Sequence, residues 1–127
     1  MASSPVFIGT PKTWLGQVSA ANTNRDGTGT LVDIVTAAAN GSRLDEIDIL
    51  GPGTATAGVV RLFLNDGTNT RLFKEVMVTA TTPSTSVEVF RAVLAFAEGL
   101  VLPLGWKLKA STHNAEAFNV VARGGDL

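Results

Sequence analysis

Hydrophobic and polar residues alternate with a period of two through much of this chain. The clearest case is 106–112, where Trp106, Leu108 and Ala110 share one face and Lys107, Lys109 and Ser111 the other, as in a strand with one side in a core and the other in water. Residues 59–64, the segment Asn65-Asp66-Gly67-Thr68-Asn69 and residues 71–79 predict a β-hairpin whose tip is built from residues that tolerate positive φ. Further strands are expected at 16–20, 30–37, 44–50, 86–94 and 117–123, with 100–102 a short piece leading into the strand that opens at Trp106. Turn signals separate these runs at near-regular intervals, among them Asp26-Gly27, Asn40-Gly41, Gly51-Pro52-Gly53, Thr82-Pro83-Ser84 and Pro103-Leu104-Gly105. Eight main strands at such spacing read as a sandwich or barrel. A helix over 87–100 is the competing reading, because Val93, Ala95, Phe96 and Ala97 tolerate a helix and Glu98-Gly99 would cap it.

Composition points the same way. Fourteen Val, four Ile and fifteen Thr favour a pleated, half-buried surface, since β-branched side chains are already restricted at χ1. A chain of 127 residues without a linker or an internal repeat is expected to fold as one all-β domain. The start of the chain differs from the rest. Pro5 and Pro11 lack an N–H and discourage a central strand, yet Val6, Phe7, Ile8, Trp14 and Leu15 are too apolar for a free tail. Residues 1–15 are therefore expected to form an extended arm whose five apolar anchors dock on a partner, and residues 16–127 the β-sandwich domain.

Charge narrows the partners. Ten Lys and Arg against eleven Asp and Glu give a net charge of −1, which offers no basic footprint for a phosphate backbone. Charged residues make up 17% of the chain and mean hydropathy is +0.25, so part of the surface is expected to meet another protein. No cationic, apolar leader is expected at the N-terminus. The longest apolar stretch, 93–104, is broken by Glu98, Gly99 and Pro103 and falls short of the roughly 20 residues that a spanning helix needs. Neither nucleic acid nor a membrane is an expected partner.

The inventory of reactive side chains is thin: one His, no Cys and no Tyr, which argues against catalysis. Ser111, His113 and Glu116 are close in sequence, but they fall at a strand-to-strand turn without the elbow and oxyanion loop of a hydrolase. Asp45, Glu46 and Asp48 are neighbours on one polar strand and not a pair facing across a cleft. Asn22, Asn24, Asp26, Gly27 and Asp33 track the positions of a calcium loop, with Asn in place of the first Asp and Asp in place of the last Glu. Flanking amphipathic helices are missing, and a turn rich in Asn, Asp and Gly follows from backbone demands alone. No cofactor is expected. Trp106 reads as core, whereas Trp14 suits an interface pocket.

Three stretches, residues 21–29, 60–67 and 102–112, which include Asn22-Thr23-Asn24-Arg25-Asp26-Gly27, Arg61-Leu62-Phe63-Leu64-Asn65-Asp66-Gly67 and Pro103-Leu104-Gly105-Trp106-Lys107-Leu108-Lys109, resemble small virion structural proteins of tailed bacteriophages, among them head decoration or cement proteins. The resemblance implies a single jelly-roll-like antiparallel β-sandwich, a homo-oligomer and most readily a trimer, and the major capsid protein as partner. It further implies assembly in the host cytoplasm and a final place on the capsid surface, with no catalytic residues to carry over. An alternative of another class is a carbohydrate-binding or receptor-binding module of a phage tail or fibre assembly, because β-sandwiches present ligands from their end loops.

Overall fold

The computed structural model describes residues 8–127. Eight strands follow one another, β1 (Thr10–Val18), β2 (Val32–Thr36), β3 (Ser42–Gly51), β4 (Gly58–Asn65), β5 (Thr70–Val78), β6 (Phe90–Leu102), β7 (Lys107–Thr112) and β8 (Phe118–Asp126). They form two four-stranded antiparallel sheets, β1-β8-β3-β6 and β2-β7-β4-β5. The pairing is nested about the β4–β5 hairpin: β4 pairs with β5, β3 with β6, β2 with β7 and β1 with β8. The fold is thus an all-β sandwich, with the hairpin at 59–79 where the pattern put it.

The core lies between the sheets. Leu44, Ile47 and Ile49 of β3 and Phe118, Val120 and Ala122 of β8 face Val60 and Leu62 of β4 and Leu108 and Ala110 of β7, all of them buried. Alternation along the strands places these side chains inward, as in the 106–112 pattern. Removing them from water supplies the main drive to fold.

Two expectations change. The helix over 87–100 is not formed. Phe90, Ala92, Leu94 and Phe96 pack on the core, while Arg91, Val93, Ala95 and Ala97 between them are exposed, a period of two that only a strand can satisfy. Strand β6 therefore runs on through 100–102, with pairing to β3 interrupted between Ala95 and Leu100. The second change concerns the arm. Residues 10–15 belong to the sandwich, because β1 begins at Thr10 and pairs with β8 from Thr10↔Asp126 to Val18↔Phe118. Pro11 is admitted there because β1 is an edge strand, where one row of N–H groups has no sheet partner to miss. Among the expected anchors, Trp14 packs against its own core and Leu15 points outward, 74% exposed. Ile8 is half-buried over Gly125, and Val6 and Phe7 lie outside the described residues.

Candidate functional site

The outer faces of the two sheets are finished differently. On the β2-β7-β4-β5 sheet, register places Glu75, Arg61 and Ser111 in one outward row and Leu72, Phe63, Lys109 and Asp33 in the next. Arg61 and Ser111 are 1% exposed and Phe63 is fully buried, although none of them faces the space between the sheets. The cover is the β1–β2 connection, residues 19–31, which crosses this face as a strap. Ala21 bridges to Thr112, and the Asn22 amide donates to the Thr112 carbonyl at 2.8 Å.

Asn22 holds the strap together. Its side-chain nitrogen donates to the carbonyls of Thr28 and Thr30, both at 3.0 Å, and its Oδ1 accepts from the Asn24 amide at 3.0 Å. Beneath it the Arg61 guanidinium uses Nε on Glu75 (2.9 Å), Nη1 on the Asn22 carbonyl (3.2 Å) and Nη2 on His113 Nδ1 (3.3 Å). A guanidinium only donates, so Nδ1 of His113 is the acceptor and the ring proton sits on Nε2. Glu75 also takes Arg25 of the strap at 2.8 Å, and the hydrogen bonds from Arg25 and Arg61 hold its carboxyl below the ordinary carboxylate range. Arg61 is thus the pin under the strap. The sequence offers one hint of it, a lone charge within Val59-Val60-Arg61-Leu62-Phe63.

The calcium-loop residues do not converge. Asp26 accepts from the amide and hydroxyl of Thr28, which hold its pKa low. Asp33 lies on β2, where burial raises its carboxyl and hydrogen bonds from Lys107 and Lys109 pull it down by more. Asn22 and Asn24 bond within the strap. Among the described residues no three His, Cys, Asp or Glu side chains gather as a metal centre. Ser111, His113 and Glu116 likewise go separate ways. The Ser111 hydroxyl is buried without a partner, His113 meets Arg61, and Glu116 accepts from the amide and hydroxyl of Thr56.

Among the described residues no segment crosses the outer face of the β1-β8-β3-β6 sheet as a strap. One row crosses all four strands as Leu15, Val121, Asp48 and Val93. Leu15 and Val93 are 74% and 45% exposed. Asp48 is 3% exposed, because Arg123 reaches its Oδ2 at 2.8 Å and Arg91 at 3.9 Å, while its Oδ1 has no partner. Arg123 also holds Glu46 at 2.6 Å. Register sets the exposed Leu15 and Val93 on the two edge strands of this face and Asp48, Glu46 and Arg123 beside Val121 on its two middle strands, and one oxygen of Asp48 lacks a partner among the described residues. A cleft of about 180 Å³ lies at the β4–β5 hairpin, lined by Leu64, Asp66, Asn69, Arg71 and Trp106.

No protein-family model matches the chain, and no curated protein matches it.

Proposed function

We propose that this chain is a non-enzymatic structural protein of a tailed-phage virion, a decoration or cement protein that sits on the outer surface of the head, binds the major capsid protein and stabilises the shell as a homo-oligomer. The observation that carries the reading is the sheet face on which Leu15 and Val93 stand exposed at the two edges of one row, with Val121 and Asp48 between them. Burying a side chain such as Leu15 is worth about 1.5–3 kcal/mol per copy, a modest gain that a lattice multiplies. The nested pairing of β1 with β8, β2 with β7, β3 with β6 and β4 with β5 supports a jelly roll, an architecture used by viral capsid domains, which is support by analogy of fold. On this reading Val6, Phe7 and Ile8 extend the same contact beyond the start of β1, in the assembled virion.

The test is the protein content of purified particles, and the binding of purified chain to particles stripped of it. Leu15→Glu and deletion of residues 2–7 leave β1 and its pairing with β8 in place, so both variants should fold with unchanged thermal midpoints and bind particles at least tenfold more weakly. Absence of the chain from particles, with a gene remote from capsid, protease and portal genes, overturns the proposal. A second reading has one observation in its favour: the cleft that joins Trp106 to Asp66, Asn69 and Arg71 has the composition of a sugar subsite. Binding to host surface polysaccharides on a glycan array, lost in Trp106→Ala, would favour a receptor-binding module instead.

A further inference from the structure

The two sheets meet differently at their two sides. Strand β1 packs against β2 on one side. On the other, β5 and β6 are the last strands of their sheets among the described residues, and the gap between them is spanned by the Phe73 and Phe96 rings, 6.0 Å apart. Strand β6 is 13 residues long, so its outward edge is a long row of unpaired backbone donors and acceptors, which proteins normally cover or blunt.

Unsatisfied side chains gather on the same side. Of the seven large apolar residues exposed among the described residues, Leu72 and Met77 are on β5, Val87 is in the β5–β6 connection, Val93 and Val101 are on β6 and Leu104 follows it. Charges sort in the same way. Among the described residues every Lys and Arg is in an ion pair except Arg71 and Lys74, both on β5. Glu88 and Glu98, just before and within β6, make neither an ion pair nor a side-chain hydrogen bond. Strand β5 thus carries two cations without an ion pair, and β6 with the residues before it two such anions; the other acidic side chains outside ion pairs, Asp26, Asp66 and Glu116, accept hydrogen bonds within the chain.

We infer that the β5–β6 side is an interface between copies of this chain, with β5 of one copy set against β6 of the next, so that Lys74 meets Glu98 and the exposed Leu72, Met77 and Val101 are buried. The inference rests on the assembly reading above and names its surface. A second copy is the occupant because the side is complementary to itself only head to tail: β6 against β6 brings like charges together, as does β5 against β5. With a rotation between copies that divides a full turn, a head-to-tail contact of this kind closes into a ring. The bulge in β5 between Leu72 and Lys74 and the unpaired residues 96–99 of β6 interrupt the edges, so side chains and the regularly paired run Phe90 to Ala95 make the contact.

Light-scattering mass across a concentration series up to about 1 mM tests this. The expected result is a discrete multiple of 13.2 kDa, with Lys74→Glu and Glu98→Lys each weakening association at least tenfold and the double variant Lys74→Glu/Glu98→Lys recovering most of it. A chain that stays at 13.2 kDa throughout overturns the inference, and so does an oligomer indifferent to both single reversals. If the reversals lower the thermal midpoint without changing the mass, Lys74 and Glu98 act within one copy and the interface is refuted. Particle binding by a monomeric chain would leave the virion reading standing while the edge interface falls.

Discussion

The strap makes a quantitative prediction, because one amide side chain organises it and one glycine is fitted to that amide. Replacing Asn22 by Ala removes the bonds to Thr28 and Thr30 and the one accepted from Asn24. At about 0.5–1.5 kcal/mol net per bond the three sum to about 1.5–4.5 kcal/mol. The strap residues that lose a partner are exposed, so water replaces part of the loss and the expected cost is about 2 kcal/mol. Gly29 has φ +85°, and a Cβ there would lie 2.7–2.9 Å from the Asn22 side-chain amide. Gly29→Ala therefore adds about 1–2 kcal/mol for the left-handed backbone to the displacement of Asn22 from its bonds, roughly 3–4 kcal/mol together. In the double variant the amide is already absent and only the backbone strain is new. The two changes should therefore be sub-additive by about 1 kcal/mol or more. Urea unfolding followed by circular dichroism measures the cycle, and each kcal/mol corresponds to about 3–5 °C in thermal midpoint for a chain of this size. His113 is the only histidine, so its ring resonances report separately whether the strap still seats Arg61. An Asn22→Ala variant within about 0.5 kcal/mol of the parent, or a cycle that closes additively, would refute the idea that this side chain organises the strap.

Two further outcomes follow from the same coordinates. The carboxyls of Asp26, Asp33, Asp66, Glu75 and Asp126 all lie below their ordinary values of 3.8 for Asp and 4.5 for Glu. The unfolded chain binds more protons in that window, so stability is full above it and declines as pH falls through 4.5 and 3.8; the urea midpoint at pH 3 should fall below that at pH 6, and equal midpoints would contradict the ion pairs described. Gly124→Ala should fail to fold or accumulate as insoluble protein, because a Cβ at that place on β8 would overlap the Arg43 carbonyl oxygen of β3, which is backbone and cannot step aside; a soluble variant with parental melting would show that the two strands separate more easily than their register implies.

What the sequence determined by itself was local. Alternation over 106–112 put Leu108 and Ala110 in the core and Lys107 and Lys109 on the outer face, as found, whereas their pairing with Asp33 came only with the structure. The hairpin was legible because Asn65-Asp66-Gly67-Thr68-Asn69 combines residues suited to the turn with apolar runs on either side, and the class of fold followed from β-branched composition and regular turns. The tertiary structure decided what depends on a distant segment. Period two says that Arg61, Phe63 and Ser111 face away from the space between the sheets, but only the strap, some forty residues from Arg61 in sequence, makes that face an interior. Asn22 looked like part of a cation loop because Asn, Asp and Gly serve turns and ligands alike, and its separate role appears only when Thr112 and Arg61 are brought beneath it. The reach of β1 to Thr10 was hidden by Pro11, whose missing N–H excludes a central strand and not an edge, and sheet order is not written in any one segment. Asp48 sits in Ile47-Asp48-Ile49 as an ordinary outward polar residue, and its burial comes from Arg123 on β8 and Arg91 on β6. Local propensity and period act within a few residues, whereas burial is set by whichever part of the chain arrives from elsewhere to exclude water.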